Sequence, residues 1–264
     1  MNRQTVRAVF VGVNVGAILL ALWAVVRPFS FGVALVVAIV WLSVVLAGVF
    51  IPQLSMFVDA HTEGSRTRPE LALTFDDGPH PKWTREVLAL LKRYDARATF
   101  FVIGRKAEAF PEIVKEMVEQ GHAVGIHSYA HDRLFSLRTR AQIKEDLSRA
   151  LAVVQPLSGK AVRLFRPPVG HTSPPMAAVV GDLGLRVIAW TARTLDGFPL
   201  LGDPDKRLAR MLKATRPGAV LLFHDARELD DERPAGLDTL EPVLDEAKKN
   251  GLRCVTLDEW RFNP

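Results

Sequence analysis

The chain has a single cysteine, Cys254, in 264 residues. No intramolecular disulfide is possible, so the fold does not depend on an oxidising compartment. Cys254 lies in an apolar run near the C-terminus and reads as a packing residue. There is no long basic run, no internal repeat and no low-complexity segment. The formal charge of +5 is modest and scattered. It argues against nucleic acid and suits contact with anionic lipid headgroups or substrate phosphates.

Charge is also missing from two long stretches, from Ala8 to Val26 and again from Pro28 to Ile51. Each approaches or exceeds the ~20 residues that carry a helix across a bilayer. Neither keeps a polar face for water, which argues against buried soluble helices. Arg27-Pro28 separates them, a poor pair for one continuous membrane helix. The expectation is a transmembrane hairpin over residues 1–58, with helices at about 8–26 and 29–51, then a juxtamembrane linker over 59–69. A signal peptide with Arg3 and Arg7 as its n-region competes for the first run, but the run is long and no small-residue cleavage site follows it. Gly12-x-x-x-Gly16 offers a small-residue face for helix approach. Arg3, Arg7, Arg66 and Arg68 on one flank against Arg27 on the other favour cytoplasmic ends and a two-pass membrane protein with its folded domain in the cytoplasm.

Beyond the linker, strands and helices alternate. Leu71, Leu73 and Phe75 alternate with Ala72 and Thr74 in a strand over 70–76, and a helix near 83–94 follows. Strands at 97–103 and 122–127 bracket a helix near 108–120. Thr139-x-x-Gln142 is a capping box for a helix that Pro156 and Gly159 close. Strands at 161–166 and 185–190 come next, then a helix started by Asp203-Pro204. A strand over 218–224, a helix near 238–250 and a strand over 252–257 complete the chain. The alternation implies an α/β fold with about seven parallel strands. Asp76, Asp77, His127, His131, Arg166, Asp196 and His224 all fall at C-terminal strand ends, the face on which parallel barrels build active sites.

Asp76 and Asp77 end the first of these strands and point different ways. Alone, Asp-Asp-Gly-Pro is as readily a solvated turn. His127-Ser128-Tyr129-Ala130-His131, ending another apolar run, changes the balance. One carboxylate with two histidines suits a divalent metal that keeps positions open for water and substrate, and leaves the second carboxylate available as a base.

Thr74-Phe75-Asp76-Asp77-Gly78-Pro79 and His127-Ser128-x-x-His131 resemble the first two motifs of the polysaccharide deacetylases, carbohydrate esterase family 4, the nodulation-protein-B-like group. Ala98-Thr99-Phe100-Phe101-Val102-Ile103-Gly104 is similar to the family's second strand, and the resemblance runs from about Glu70 to Leu257. It implies a distorted (β/α) barrel over 70–264 and a metal-dependent hydrolase that removes an N-acyl group, acetyl first, from an amino sugar of a glycan or glycolipid. Asp77, His127 and His131 are then the metal ligands, and Asp76 is the general base. Zinc is the default ion, while cobalt, nickel and manganese also fit such ligands.

Phe165-Arg166-Pro167-Pro168-Val169-Gly170 resembles the third motif. It implies that Arg166 pairs with a site carboxylate and that the Val169 backbone N–H helps to hold the oxyanion. The family usually has tyrosine at Val169. Neighbouring His171 is either a substrate contact or a surface residue. Trp190-Thr191-Ala192-Arg193-Thr194-Leu195-Asp196-Gly197 stands in place of the fourth motif. Asp196 matches and implies a partner for the general acid. Arg193 replaces an aspartate and Gly197 a tryptophan, so Arg193 is read as binding a phosphate or carboxylate of the substrate. Leu222-Phe223-His224 resembles the fifth motif, with His224 as general acid. The alternatives are a deacetylase or deformylase of a lipid-linked sugar, an O-ester deacetylase, and an inactive carbohydrate-binding module. The intact ionisable set argues against the last. The implied partners are a carbohydrate or lipid-linked amino sugar and the membrane, with no nucleic acid.

Overall fold

The computed structural model describes residues 3–26, 31–196, 203–227 and 231–260. Two N-terminal helices, α1 (Arg3–Val26) and α2 (Phe31–Phe50), precede the sheet. Its strands are β1 (Ala60–His61), β2 (Glu70–Asp76), β3 (Ala98–Val102), β4 (Ala123–Ile126), β5 (Leu164–Phe165), β6 (Arg186–Ile188), β7 (Ala192–Arg193), β8 (Val220–His224) and β9 (Arg253–Cys254). Eight of them run parallel in the order β1-β6-β5-β4-β3-β2-β8-β7, and β9 pairs with the start of β2. The sheet curls into a half-barrel. All seven expected strands are present, several of them shorter than expected. The two additional strands, β1 and β7, are two residues each and too short to show any alternation. Residues 59–69, read as a linker, therefore contribute an edge strand, which pairs with β6 at Ala60↔Val187.

The pleat of β2 sorts its side chains onto two faces. Leu71, Leu73 and Phe75 join the larger core cluster, while Ala72 joins Phe101, Leu164, Ile188 and Val220 in the second. Phe75 stacks on its register neighbours Phe100 and Phe223, with ring centroids 5.0 and 5.5 Å apart. Burial of this strand puts its last residue, Asp76, at the centre of the sheet's C-terminal edge.

The helices are α3 (Trp83–Arg93), α4 (Gly104–Ala109), α5 (Pro111–Glu119), α6 (Arg140–Ser158), α7 (Pro174–Asp182), α8 (Pro204–Ala214) and α9 (Leu240–Lys249). The single helix expected near 108–120 is broken at Phe110, because Pro111 cannot donate an intrahelical bond and starts a new helix instead. α6 carries the expected capping box, with Thr139 and Gln142 bonded reciprocally, and ends at Gly159 with φ 66°. Pro156 does not close that helix but lies inside its last turn. Asp203 caps α8 by accepting from the Asp205 and Lys206 amides.

Among the described residues, one helix, Gly32–Phe50, is long and apolar enough to cross a membrane, and Gln4–Leu20 is a shorter apolar stretch. By length and composition this is one N-terminal anchor or signal peptide, fewer than the two spans expected. α1 begins at Arg3 and so includes the cations that flank the apolar run. Arg27 lies outside the described residues. Gly12 and Gly16 do not mediate helix approach, since a Cβ on either would meet nothing within 4 Å. The helices meet instead where Trp41 Nε1 donates to Asn14 Oδ1 at 3.1 Å.

Candidate active site

The residues singled out from the sequence, with the exception of Arg166, His171 and Gly197, line one cavity of about 460 Å³. Asp76, Asp77, His127, His131, Val169, Arg193, Asp196 and His224 share its wall with Trp190, Leu195, Leu222, Arg133 and Arg227. Gly197 lies outside the described residues.

β2 delivers Asp76 and the turn after it delivers Asp77. Asp77 has φ 74°, a left-handed conformation. Lys106 Nζ holds this turn by donating to the Asp77 carbonyl at 2.9 Å and to the Arg227 carbonyl at 3.0 Å. The next residue must be glycine, because a Cβ on Gly78 would come within 2.2 Å of Asp225 Oδ2. Asp225 is itself buried and accepts from Thr84 Oγ1 at 2.5 Å. Burial pushes its carboxyl up to about 7.

β4 delivers the histidines. Asp146 of α6 clamps the loop between them, accepting from the Tyr129 amide at 2.8 Å and the Ala130 amide at 3.2 Å. Ser128 and His131 both have positive φ, 64° and 53°. Val169 (51°) and Leu195 (58°) on the same cavity wall are also left-handed. Such conformations cost non-glycine residues about 1–3 kcal/mol each and concentrate at functional sites.

Asp77 Oδ1 lies 3.6 Å from His127 Nε2 and 3.2 Å from His131 Nε2. It is buried and makes no hydrogen bond among the described residues. One ligand atom from each of the three residues falls within 4.8 Å of the others, a spacing that a divalent cation can bridge. His127 Nδ1 bonds to the Arg166 carbonyl at 2.7 Å, which fixes the tautomer and leaves the Nε2 lone pair facing Asp77. Burial, with His131 nearby, drives the His127 pKa well below its ordinary value and keeps the ring neutral, as a ligand must be. The residues present fit a divalent metal.

Asp76 sits beside this cluster, its Oδ2 4.0 Å from His127 Nε2. Its Oδ1 accepts from Arg166 Nη1 at 2.7 Å. Arg166 is wholly buried and also donates to Thr74 Oγ1 (2.9 Å), the Ile188 carbonyl (3.2 Å) and the Ala189 carbonyl (3.0 Å). Its guanidinium lies over the Phe101 ring, 4.2 Å from the centroid. Burial raises the Asp76 pKa, and Arg166 opposes the shift. Across the cavity, His224 Nδ1 meets Asp196 Oδ1 at 2.8 Å. Thr194 Oγ1 donates to the same carboxylate oxygen at 2.6 Å, and the Gly236 amide donates to the other at 3.0 Å. Burial opposes the imidazolium, but the charge and hydrogen bond of Asp196 outweigh it and lift His224 to about 10. Asp196 is correspondingly lowered, against its own burial, chiefly by His224.

Arg193 is half-buried over the Trp190 ring at 5.2 Å. His171 turns away from the cavity and packs edge-on against Phe50 of α2, with centroids 4.6 Å apart. Sequence reasoning missed Lys106, Asp146 and Thr194, which hold the Asp77 turn, the loop before His131 and Asp196, and Asp225, which packs against Gly78. Asp225 alone left a signal, as a second ionisable residue directly after His224.

Two histidines and a carboxylate converge on one buried point, with a second carboxylate and a charged histidine to either side. This arrangement at the mouth of a parallel half-barrel has the spacing to hold a divalent metal with ionisable groups beside it. Comparison with known proteins makes the class specific. Residues 63–188 match the family described as polysaccharide deacetylase. A peptidoglycan-N-acetylglucosamine deacetylase of Bacillus cereus is 30% identical over 194 residues, 74% of this chain and 69% of the relative. A chitooligosaccharide deacetylase of Azorhizobium caulinodans is 33% identical over 169 residues, 63% of this chain and 79% of the relative. The solved structure of a family 4 carbohydrate esterase from Streptomyces lividans in complex with acetate superimposes with a TM-score of 0.61 at 28% identity, covering 70% of this chain and 91% of that one. The chain belongs to the polysaccharide deacetylase family, carbohydrate esterases that hydrolyse non-peptide C–N bonds.

Proposed function

We propose that this chain is a membrane-anchored N-deacetylase of an amino sugar, with N-acetylglucosamine units as substrate. The observation that carries the reading is the buried Asp77 oxygen facing two imidazole nitrogens at 3.6 and 3.2 Å, with no hydrogen bond of its own among the described residues. Asp77, His127 and His131 would hold the metal, zinc by ligand preference. When bound it supplies a polarised acyl carbonyl and a water of lowered pKa. Asp76, fixed by Arg166, accepts the water's proton. The Val169 backbone N–H assists the oxyanion. His224, kept charged by Asp196, protonates the departing amine. Trp190, Leu222 and Val169 supply the apolar wall for the acyl methyl.

Two named relatives act on peptidoglycan N-acetylglucosamine and on chitooligosaccharides, which supports an N-acetylglucosamine unit here. Arg193 favours a second reading, an amino sugar linked to a lipid through phosphate, since it brings a cation to the cavity wall. Removal of formyl, or of an O-acyl group, would use the same residues, and the released acid distinguishes them. The test incubates the full chain, purified in detergent with zinc, with chitooligosaccharides, peptidoglycan fragments and a lipid-linked amino sugar. Acetate release, abolished in His127→Ala, is expected. Loss of no acyl group from any of the three would overturn the reading.

Beyond the one span that length and composition support, we propose that α1 makes a second pass and that the catalytic domain is cytoplasmic, on the count of Arg3, Arg7, Arg66 and Arg68 against Arg27. C-terminal fusions to alkaline phosphatase and to a fluorescent protein that matures only in the cytoplasm test it. Phosphatase activity without fluorescence would overturn the orientation.

A further inference from the structure

The last turn of α2 docks on the face of the sheet that carries the active site. The carbonyls of Gly48 and Val49 accept hydrogen bonds from Thr172 Oγ1 at 2.9 Å and from the Thr172 amide at 3.0 Å. Gln53 Nε2 donates to the Trp190 carbonyl at 3.4 Å, and Phe50 packs on His171. His171 and Thr172 follow β5, and Trp190 follows β6. These contacts therefore lie at C-terminal strand ends, the edge that carries Asp76, Asp77 and His224. Gly48 is buried in the junction, where a Cβ would come within 2.3 Å of Met56 Sδ.

Away from this turn, Leu35, Val36, Ile39, Val40, Leu42 and Leu46 are exposed. The 19 residues of Gly32–Phe50 rise about 28 Å, which matches the ~30 Å hydrocarbon core of a bilayer. A span of that length ends at Phe50–Ile51, so the residues bonded to its last turn sit at headgroup level.

Past Ile51, the exposed large apolar side chains among the described residues are Leu134 (62% exposed), Leu137 (75%) and Val169 (41%). Val169 lines the cavity, and so does Arg133, next to Leu134. β4, which leads into 127–138, is the paired neighbour of β5, which leads into 166–173. All three residues thus occupy the flank of the mouth at which α2 arrives. Phe135 is buried, 6.3 Å from Phe165. It pins the segment while the leucines on either side of it face outward. Solvation of two exposed leucines is unfavourable, and burial in an apolar phase removes that cost.

We infer that the mouth of the active site rests on the bilayer that α2 crosses, with Leu134 and Leu137 inserted among the lipid headgroups. Arg133 and Arg193 on the same cavity wall then face anionic headgroups. The mouth takes amino sugars presented at headgroup level. The inference rests on the anchor reading of α2 and is independent of the chemistry proposed for the site.

The test uses the full chain carrying Cys254→Ala, with a single new cysteine at Leu134→Cys, Leu137→Cys or Lys249→Cys. Lys249, exposed at the C-terminal end of α9, is the control. Each variant carries a polarity-sensitive fluorophore in nanodiscs of phosphatidylethanolamine and phosphatidylglycerol, and doxyl-labelled lipid is the quencher. Loss of fluorescence at 134 and 137 but not at 249 is expected. Equal quenching at all three positions, or none, overturns membrane docking. Acetate release from a soluble oligosaccharide is measured in the same discs. Release without quenching keeps the deacetylase reading and sinks the docking, and quenching without release does the reverse.

Discussion

Arg166 Nη1 and Asp76 Oδ1 meet at 2.7 Å with neither side chain more than 5% exposed. Every other hydrogen bond of the guanidinium described above goes to Thr74 or to a backbone carbonyl, and its face lies on the Phe101 ring, so the arginine is a fixed strut and the carboxylate is the group it presents. Removing one partner of such a pair leaves an uncompensated buried charge and costs about 3–5 kcal/mol. Arg166→Met should lower the thermal midpoint of the detergent-purified full chain by many degrees. An unchanged melt would show that the pair is not structural.

The ligand and acid roles separate by metal content. His127→Ala and His131→Ala should lose bound metal and turnover together. His224→Ala should keep the metal and lose turnover. Elemental analysis of the three purified variants decides it, and full occupancy in His127→Ala would sink the ligand assignment.

Base and ligand are adjacent in sequence yet should behave differently. Asp76→Asn is expected to retain metal while turnover falls by ~10²–10⁴-fold, the usual contribution of general-base catalysis. Equal metal loss in Asp76→Asn and Asp77→Asn would merge the two roles.

With His224 as the proposed general acid, its pair with Asp196 should set the alkaline limb of the pH profile. Asp196 raises His224 to about 10, against burial, so the imidazolium persists through neutral pH and is lost as pH rises through that value. Any stability this charge contributes is complete below the ordinary histidine range and disappears over the same alkaline rise. In Asp196→Asn the limb of kcat should move to lower pH. An alkaline limb that stays in place would assign the acid elsewhere.

Arg193 should tell substrates apart. Arg193→Ala is expected to raise KM for a phosphate-bearing lipid-linked amino sugar more than for a neutral chitooligosaccharide, in paired kinetic assays. Equal changes for both would make Arg193 a packing residue on Trp190.

The sequence by itself determined the parts whose signal is local. Alternation in 70–76 and the Asp-Asp-Gly-Pro stop put two carboxylates at a strand end. A three-residue gap between His127 and His131 sets both imidazoles after one strand, and Thr139 with Gln142 marks a helix start whose bonds reach only three residues. The tertiary structure decided what depends on groups distant in the chain. Lys106 lies 29 positions from Asp77 and Thr74 lies 92 from Arg166, and no periodicity records such pairs. The two-residue edge strands β1 and β7 exist only because a neighbour offers them hydrogen bonds. The same holds for α2. Its apolar length is legible from the residues alone, but its docking on Thr172 beside the active site needs a chain separation of 124 positions to be folded back on itself.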